Sequence, residues 1–104
     1  MKYAEIGSIS TGTLRNEDLA KTFSNQLGYY LRHNPQLNPQ LHRNLRGLVY
    51  DANEPEKDWD LEDDLIMELM DALNLFAPPG AYFGAHPGDG SDFGFWPDEE
   101  GEGA

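Results

Sequence analysis

Residues 81–96 read AYFGAHPGDGSDFGFW. Two aromatic-rich runs flank Pro87-Gly88-Asp89-Gly90-Ser91, a punctuation that predicts a β-hairpin. An isolated hairpin is marginal in water and has to pack one face on another element. With Asp89-Gly90 at the centre of the turn, Phe83, Ala85, Gly94 and Trp96 share one face, and Tyr82, Gly84, His86, Phe93 and Phe95 share the other. Pro97 ends the second run. What precedes the hairpin reads as helix, so the fold decided by these sixteen residues is α+β rather than all-α.

Immediately upstream, Leu61, Leu65, Ile66, Leu69, Met70, Leu73 and Phe76 recur at helical spacing and predict a helix over about Asp60–Phe76, closed by Pro78-Pro79-Gly80. Before it, Asn38-Pro39 reads as a capping residue followed by proline at the first helical position. The helix it opens runs to about Asn53, with Leu41, Leu45, Leu48, Val49 and Ala52 on one side. Its other side carries Arg43, Arg46 and Tyr50, and those arginines are expected to pair with acids of the following loop and helix. An earlier helix spans Asn16–His33, with Asn16 as its cap and Leu19, Phe23, Leu27, Tyr30 and Leu31 on its apolar face. Gly28 falls on the face opposite. Pro35 ends this helix, because the residue before a proline is pushed away from helical angles. Tyr3, Ile6 and Ile9 give residues 2–10 a weak strand signal. The reading is therefore three helices with a C-terminal hairpin packed on them, joined by an N-terminal strand, in one domain over 1–97 with an acidic, disordered tail over 98–104. The core should hold Leu19, Phe23, Leu27, Leu31, Leu45, Leu48, Leu65, Leu69, Leu73 and one hairpin face.

Charge divides the chain. Residues 1–50 carry six basic side chains against three acids, whereas residues 51–104 carry sixteen acids against Lys57 alone, for a total of −12. Such a field repels nucleic acid and anionic membrane and attracts basic protein surfaces. There is no cysteine, which excludes disulfides and cysteine-based zinc sites and fits a reducing cytoplasm. The opening MKYAEIGSISTG lacks the apolar run of a signal peptide, and no stretch is long and apolar enough to span a membrane. A cytoplasmic protein is expected.

Two surfaces carry the functional expectation. Asp60, Asp64, Glu68 and Asp71 place carboxylates every ~5–6 Å along the third helix, close to the ~7 Å spacing of phosphates on a DNA strand. A rod of that kind could occupy a basic groove built for nucleic acid; a solvated helix face or a halophile's surface would read the same way. Tyr82, His86, Phe93, Phe95 and Trp96 of the hairpin are the candidate aromatic anchors. His86, Asp89 and Asp92 offer one imidazole and two carboxylates, the basis of an alternative as a small metal-dependent enzyme. Yet no calcium-loop spacing, nucleophile context or phosphate-binding loop accompanies them. No catalytic residue, no metal and no cofactor are expected.

Two segments, Ser10–Leu19 (STGTLRNEDL) and Tyr82–Trp96, together resemble a family of short, acidic, uncharacterised proteins of phages, prophages and plasmids. The likeness covers about a quarter of the chain and carries over no catalytic residues. It implies a modulator or inhibitor of host machinery, such as a restriction or CRISPR component. The expected function is therefore non-enzymatic binding to a basic, nucleic-acid-binding surface of a host protein, with no direct contact to nucleic acid or membrane. The alternative from another class is a structural module whose hairpins pair in a homodimer, with acidity serving only solubility.

Overall fold

Thr13 organises the entry to the first helix: its hydroxyl accepts the Arg15 N–H (3.2 Å) and donates to the Asp18 carboxylate (2.9 Å). The structure, a computed structural model, describes residues 2–54 and 56–97; the expected disordered tail over 98–104 lies outside them. Helix α1 spans Asn16–His33, as its periodicity predicts. Asn16 is not its cap, however. It is the first helical residue, and its side-chain amide reaches away from the helix to donate to Trp59 O and Asp63 Oδ1, both at 2.8 Å.

Helix α2 is Pro39–Ala52. Asn38 caps it as expected, its side chain accepting the Gln40 and Leu41 amides at 2.8 and 3.3 Å. The third helical segment departs from expectation. It is a 3-10 turn, Trp59–Leu61, followed by helix α3, Asp63–Asn74. The tighter winding of the turn takes Asp60 and Leu61 out of register with α3. Leu61 is consequently 76% exposed instead of contributing to the apolar stripe, and Trp59 packs against the core in its place.

Strands β1 (Gly7–Ser10), β2 (Ala81–His86) and β3 (Asp89–Pro97) form an antiparallel sheet in the order β1-β3-β2. The chain is thus α+β, with the hairpin and the N-terminal strand in one sheet against the helices. The register pairs Tyr82 with Trp96, Phe83 with Phe95 and Ala85 with Phe93. This corrects the expected hairpin faces by one residue. The turn is Pro87-Gly88, and an irregularity next to His86 absorbs the extra residues of β3. A two-residue Asp-Gly turn would need positive φ at Asp89 and Gly90, and neither has it. The Asp89 carboxylate instead accepts the Ser91 amide and hydroxyl (3.0 and 2.9 Å).

One hairpin face, carrying Phe83, Phe93 and Phe95, is buried on α1 and α3. Phe23 meets Phe83 and Phe93 edge-on at 5.2 and 5.6 Å, and Phe95 meets Phe83 at 5.0 Å and Tyr30 at 6.0 Å. Aromatic pairs of this geometry contribute about 0.5–1.5 kcal/mol each beyond the area they bury. The expected core residues are buried, with Leu48 only partly so.

The segment before β1 is held by two contacts. Ala4 N–H donates to Phe76 O at 2.7 Å. Asn34, fully buried after α1, accepts from Lys2 N–H and donates to Lys2 O and Tyr30 O at 3.1 and 2.9 Å. Only 7–10 of the expected 2–10 is strand, and Tyr3 and Ile6 are half exposed.

Candidate functional site

The acidic surface is built by the 3-10 turn and α3. Asp64, Glu68 and Asp71 are exposed at helical spacing on one face of α3, while Asp60 sits on the turn outside that helix. The four-residue rod read from the sequence is therefore three residues on a helix plus one on a separate, anchored turn. Asn16 ties the two pieces together through Trp59 O and Asp63. Lys57 pairs with Glu62 at 3.4 Å, and no other carboxylate of residues 58–71 has a cationic partner among the described residues.

Sequence reasoning missed the apolar side chains that accompany these carboxylates. Met67 is 63% exposed and Leu75, just past the end of α3, 48%; with Asp64, Glu68 and Asp71 they follow the i, i+3, i+4 rule along an exposed side that Leu45 and Leu48 of α2 border. Leu61 extends the apolar component onto the turn. Met67 could have been found from spacing alone, since it falls off the stripe formed by Leu65, Leu69 and Leu73.

The hairpin splits the expected aromatic set. Phe93 and Phe95 belong to the core, so they are corrected as candidate contact residues: the register turns them inward. Tyr82, His86 and Trp96 occupy the opposite face. There the Trp96 indole N–H donates to Gly84 O at 2.9 Å, and the His86 ring stands edge-on to Trp96 at 4.8 Å. The backbone of β1 at Gly7 and Ser8 closes over Gly94 on this side. Tyr82 and Trp96 stay partly exposed and His86 exposed.

The residues considered for a metal are each otherwise engaged. His86 Nδ1 accepts the Gly88 N–H at 2.9 Å, the Asp89 carboxylate is bonded to Ser91, and Asp92 accepts the Ser8 hydroxyl. The Ser91 hydrogen bonds, backbone first, hold the Asp89 carboxyl below the usual carboxylate range. Among the described residues no three His, Asp or Glu side chains gather as a metal site would require.

The arginines of α2 do not reach the acids of α3. Arg43 donates to Gln40 Oε1 at 3.3 Å, and among the described residues neither Arg43 nor Arg46 has a carboxylate within 4 Å. The reason is rotational: α2 turns Leu45 and Leu48 toward the acid-bearing helix and its arginines to the far side. Among the described residues no helix is long and apolar enough to cross a membrane. No protein-family model, curated protein or solved structure matches the chain.

Proposed function

We propose that this chain is a non-enzymatic interaction protein that presents the outer side of the 3-10 turn and α3 to a basic surface of another protein. One observation carries the reading: Asp60, Asp64, Glu68 and Asp71 stand exposed and, among the described residues, without cationic partners, in the same segment as the exposed Leu61, Met67 and Leu75. Carboxylates of this kind steer encounter and fix register, whereas desolvated apolar side chains supply most of the lasting affinity. A partner surface that normally holds nucleic acid would be blocked in the process. The resemblance to small acidic proteins of mobile elements supports a modulator of a host defence component acting in the cytoplasm.

The test is affinity capture from host lysate with the natural chain and with Asp60, Asp64, Glu68 and Asp71 replaced by lysine, at ~0.1 and ~0.5 M salt, where the screening length shrinks from about 10 Å to a few ångströms. A protein captured only by the natural chain, and less at high salt, supports the reading. Equal capture by both chains, with circular dichroism showing both folded, refutes it.

A second reading has its own observation. β2 is an edge strand beside the partly exposed Tyr82 and Trp96, so hairpins of two copies could pair there. Sedimentation over a concentration series decides it: a monomer throughout removes the homodimer.

A further inference from the structure

Residues of α1 and α2 flank a groove of about 590 Å³ to whose lining α3 contributes no described residue. Gly28, Leu31, Pro35 and Val49 make its apolar wall. Arg32 and Arg46 also line it, both exposed, and among the described residues no carboxylate does. His42 is held in place there by its Nε2, 3.2 Å from Leu31 O. Tyr50, 79% exposed, and Asn53 complete the lining. The volume lies within the range of small-ligand sites, and an apolar wall with a few charged groups at one edge is their usual construction.

Two features set this groove apart from an ordinary gap between helices. Gly28 lies inside the 18-residue helix α1, at a position where alanine would be the better helix former. Among the described residues nothing in the packing demands it: its φ is not positive, and a Cβ there would meet Arg32 Nη1 alone, at 3.5 Å. What the missing side chain does is leave the groove open. The second feature is electrostatic. In a chain of net charge −12, two of the five lysines and arginines that form no ion pair among the described residues, Arg32 and Arg46, line this one groove.

We propose that this groove binds a small amphipathic anion, a free molecule with an apolar body and a single carboxylate or sulfonate head, its body on Leu31 and Val49 and its head between Arg32 and Arg46. Guanidinium groups suit that head because their planar donors match an oxyanion's geometry. The net charge argues for a free molecule over an anionic bilayer, which would repel the acidic remainder of the chain. The site is separate from the acidic surface and stands or falls independently of it.

The experiment is a fluorescence titration of the full chain with 8-anilinonaphthalene-1-sulfonate and with its uncharged relative N-phenyl-1-naphthylamine, followed by displacement with decanoate. The natural chain should bind the sulfonate at one-to-one stoichiometry, and decanoate should displace it. Arg32→Gln with Arg46→Gln should weaken the sulfonate about tenfold or more and the uncharged probe by no more than about twofold. Gly28→Leu should abolish binding of both probes without lowering the unfolding midpoint, since leucine is the better helix former. Failure of the natural chain to bind the sulfonate more tightly than about 1 mM would overturn the proposal. So would sulfonate binding that survives Gly28→Leu, or that is indifferent to the two arginines.

Discussion

Gly94→Ala tests the account of how β1 joins the sheet. Gly94 lies in β3, and its φ is not positive, so alanine suits the backbone itself. The obstacle is steric. An added Cβ would overlap the Gly7 carbonyl oxygen and stand 2.9 Å from Ser8 Cα. Carbon atoms in contact keep ~3.5–4.0 Å apart, so relieving the Ser8 contact alone takes β1 back by roughly 0.6–1.1 Å, and the closer overlap with the Gly7 oxygen demands at least as much. The blocking atoms are backbone, which cannot rotate aside, and the movement strikes the Gly7–Phe95 and Ser8–Gly94 pairs directly. Overpacking of this sort costs about 1–3 kcal/mol, and each weakened strand hydrogen bond adds about 0.5–1.5 kcal/mol. Restricting the unfolded chain offsets about 0.4–1 kcal/mol. The net loss should be about 2 kcal/mol, equivalent to roughly 8–16 °C in Tm for a domain of this size. Urea unfolding measures the loss, and amide exchange should show β1 opening ahead of β2. Gly84→Ala is the control, because the nearest atom there is the ring of Tyr82 at 3.3 Å, a side chain that can give way. Stability within about 0.5 kcal/mol of the natural chain, with β1 amides still protected, would show that the close approach of β1 to Gly94 is wrong.

Asn34→Ala should cost about 1–3 kcal/mol and release the N-terminal segment, because it strips partners from Lys2 and Tyr30 in a buried position; amide exchange at Ala4 reports the release. Phe95→Ala should cost about 3–5 kcal/mol by denaturant titration, against at most about 0.5 kcal/mol for Leu61→Ser, and comparable losses would contradict their opposite burial. Tyr30 titrates above its usual value of 10.0, chiefly because burial disfavours the phenolate. Its folded pKa is raised, so the stability tied to it is fully present below the unfolded pKa and is lost as pH rises through the folded one. Tyr30→Phe should flatten the decline in stability above about pH 10, where the unfolded phenol ionises. Asp89 shifts the other way, so its contribution is present above the ordinary value of 3.8 and disappears as pH falls through its lowered folded pKa. In Ser91→Ala the Asp89 carboxyl should titrate nearer the ordinary value by NMR, since the hydroxyl bond is gone while the backbone bond stays.

Local chemistry made α1 and α2 legible in the sequence. Their boundaries follow from signals within one turn of each end: Asn38 before Pro39, acids early and bases late in α1, and Pro35 closing it. The apolar stripe carried by Leu65, Leu69 and Leu73 was equally plain, as was the presence of a hairpin, and together these sufficed for the α+β class. The start of α3 was not legible, because Asp60 and Leu61 fit helical spacing on paper. Only the tertiary bonds from Asn16 to Trp59 O and Asp63, with Trp59 seated on the core, select the 3-10 turn.

The candidate surfaces divide along the same line. Exposure of the acids follows from their charge, so Asp64, Glu68 and Asp71 could be placed from the sequence. Which aromatics face outward could not, since a shift of one residue in strand register exchanges the two faces of the hairpin. The core needed Phe83, Phe93 and Phe95 on one side, and the Asp89–Ser91 contacts drew the turn back to Pro87-Gly88 to put them there. The isolation of Arg32 and Arg46 from the acids, and the groove that Gly28 leaves open, likewise depend on how α2 is rotated against α1 and α3. Composition and short-range spacing thus determined the helices, the hairpin and the division of charge. Register and helix rotation were decided by packing, because they are relations between segments far apart in the chain, and no local signal encodes them.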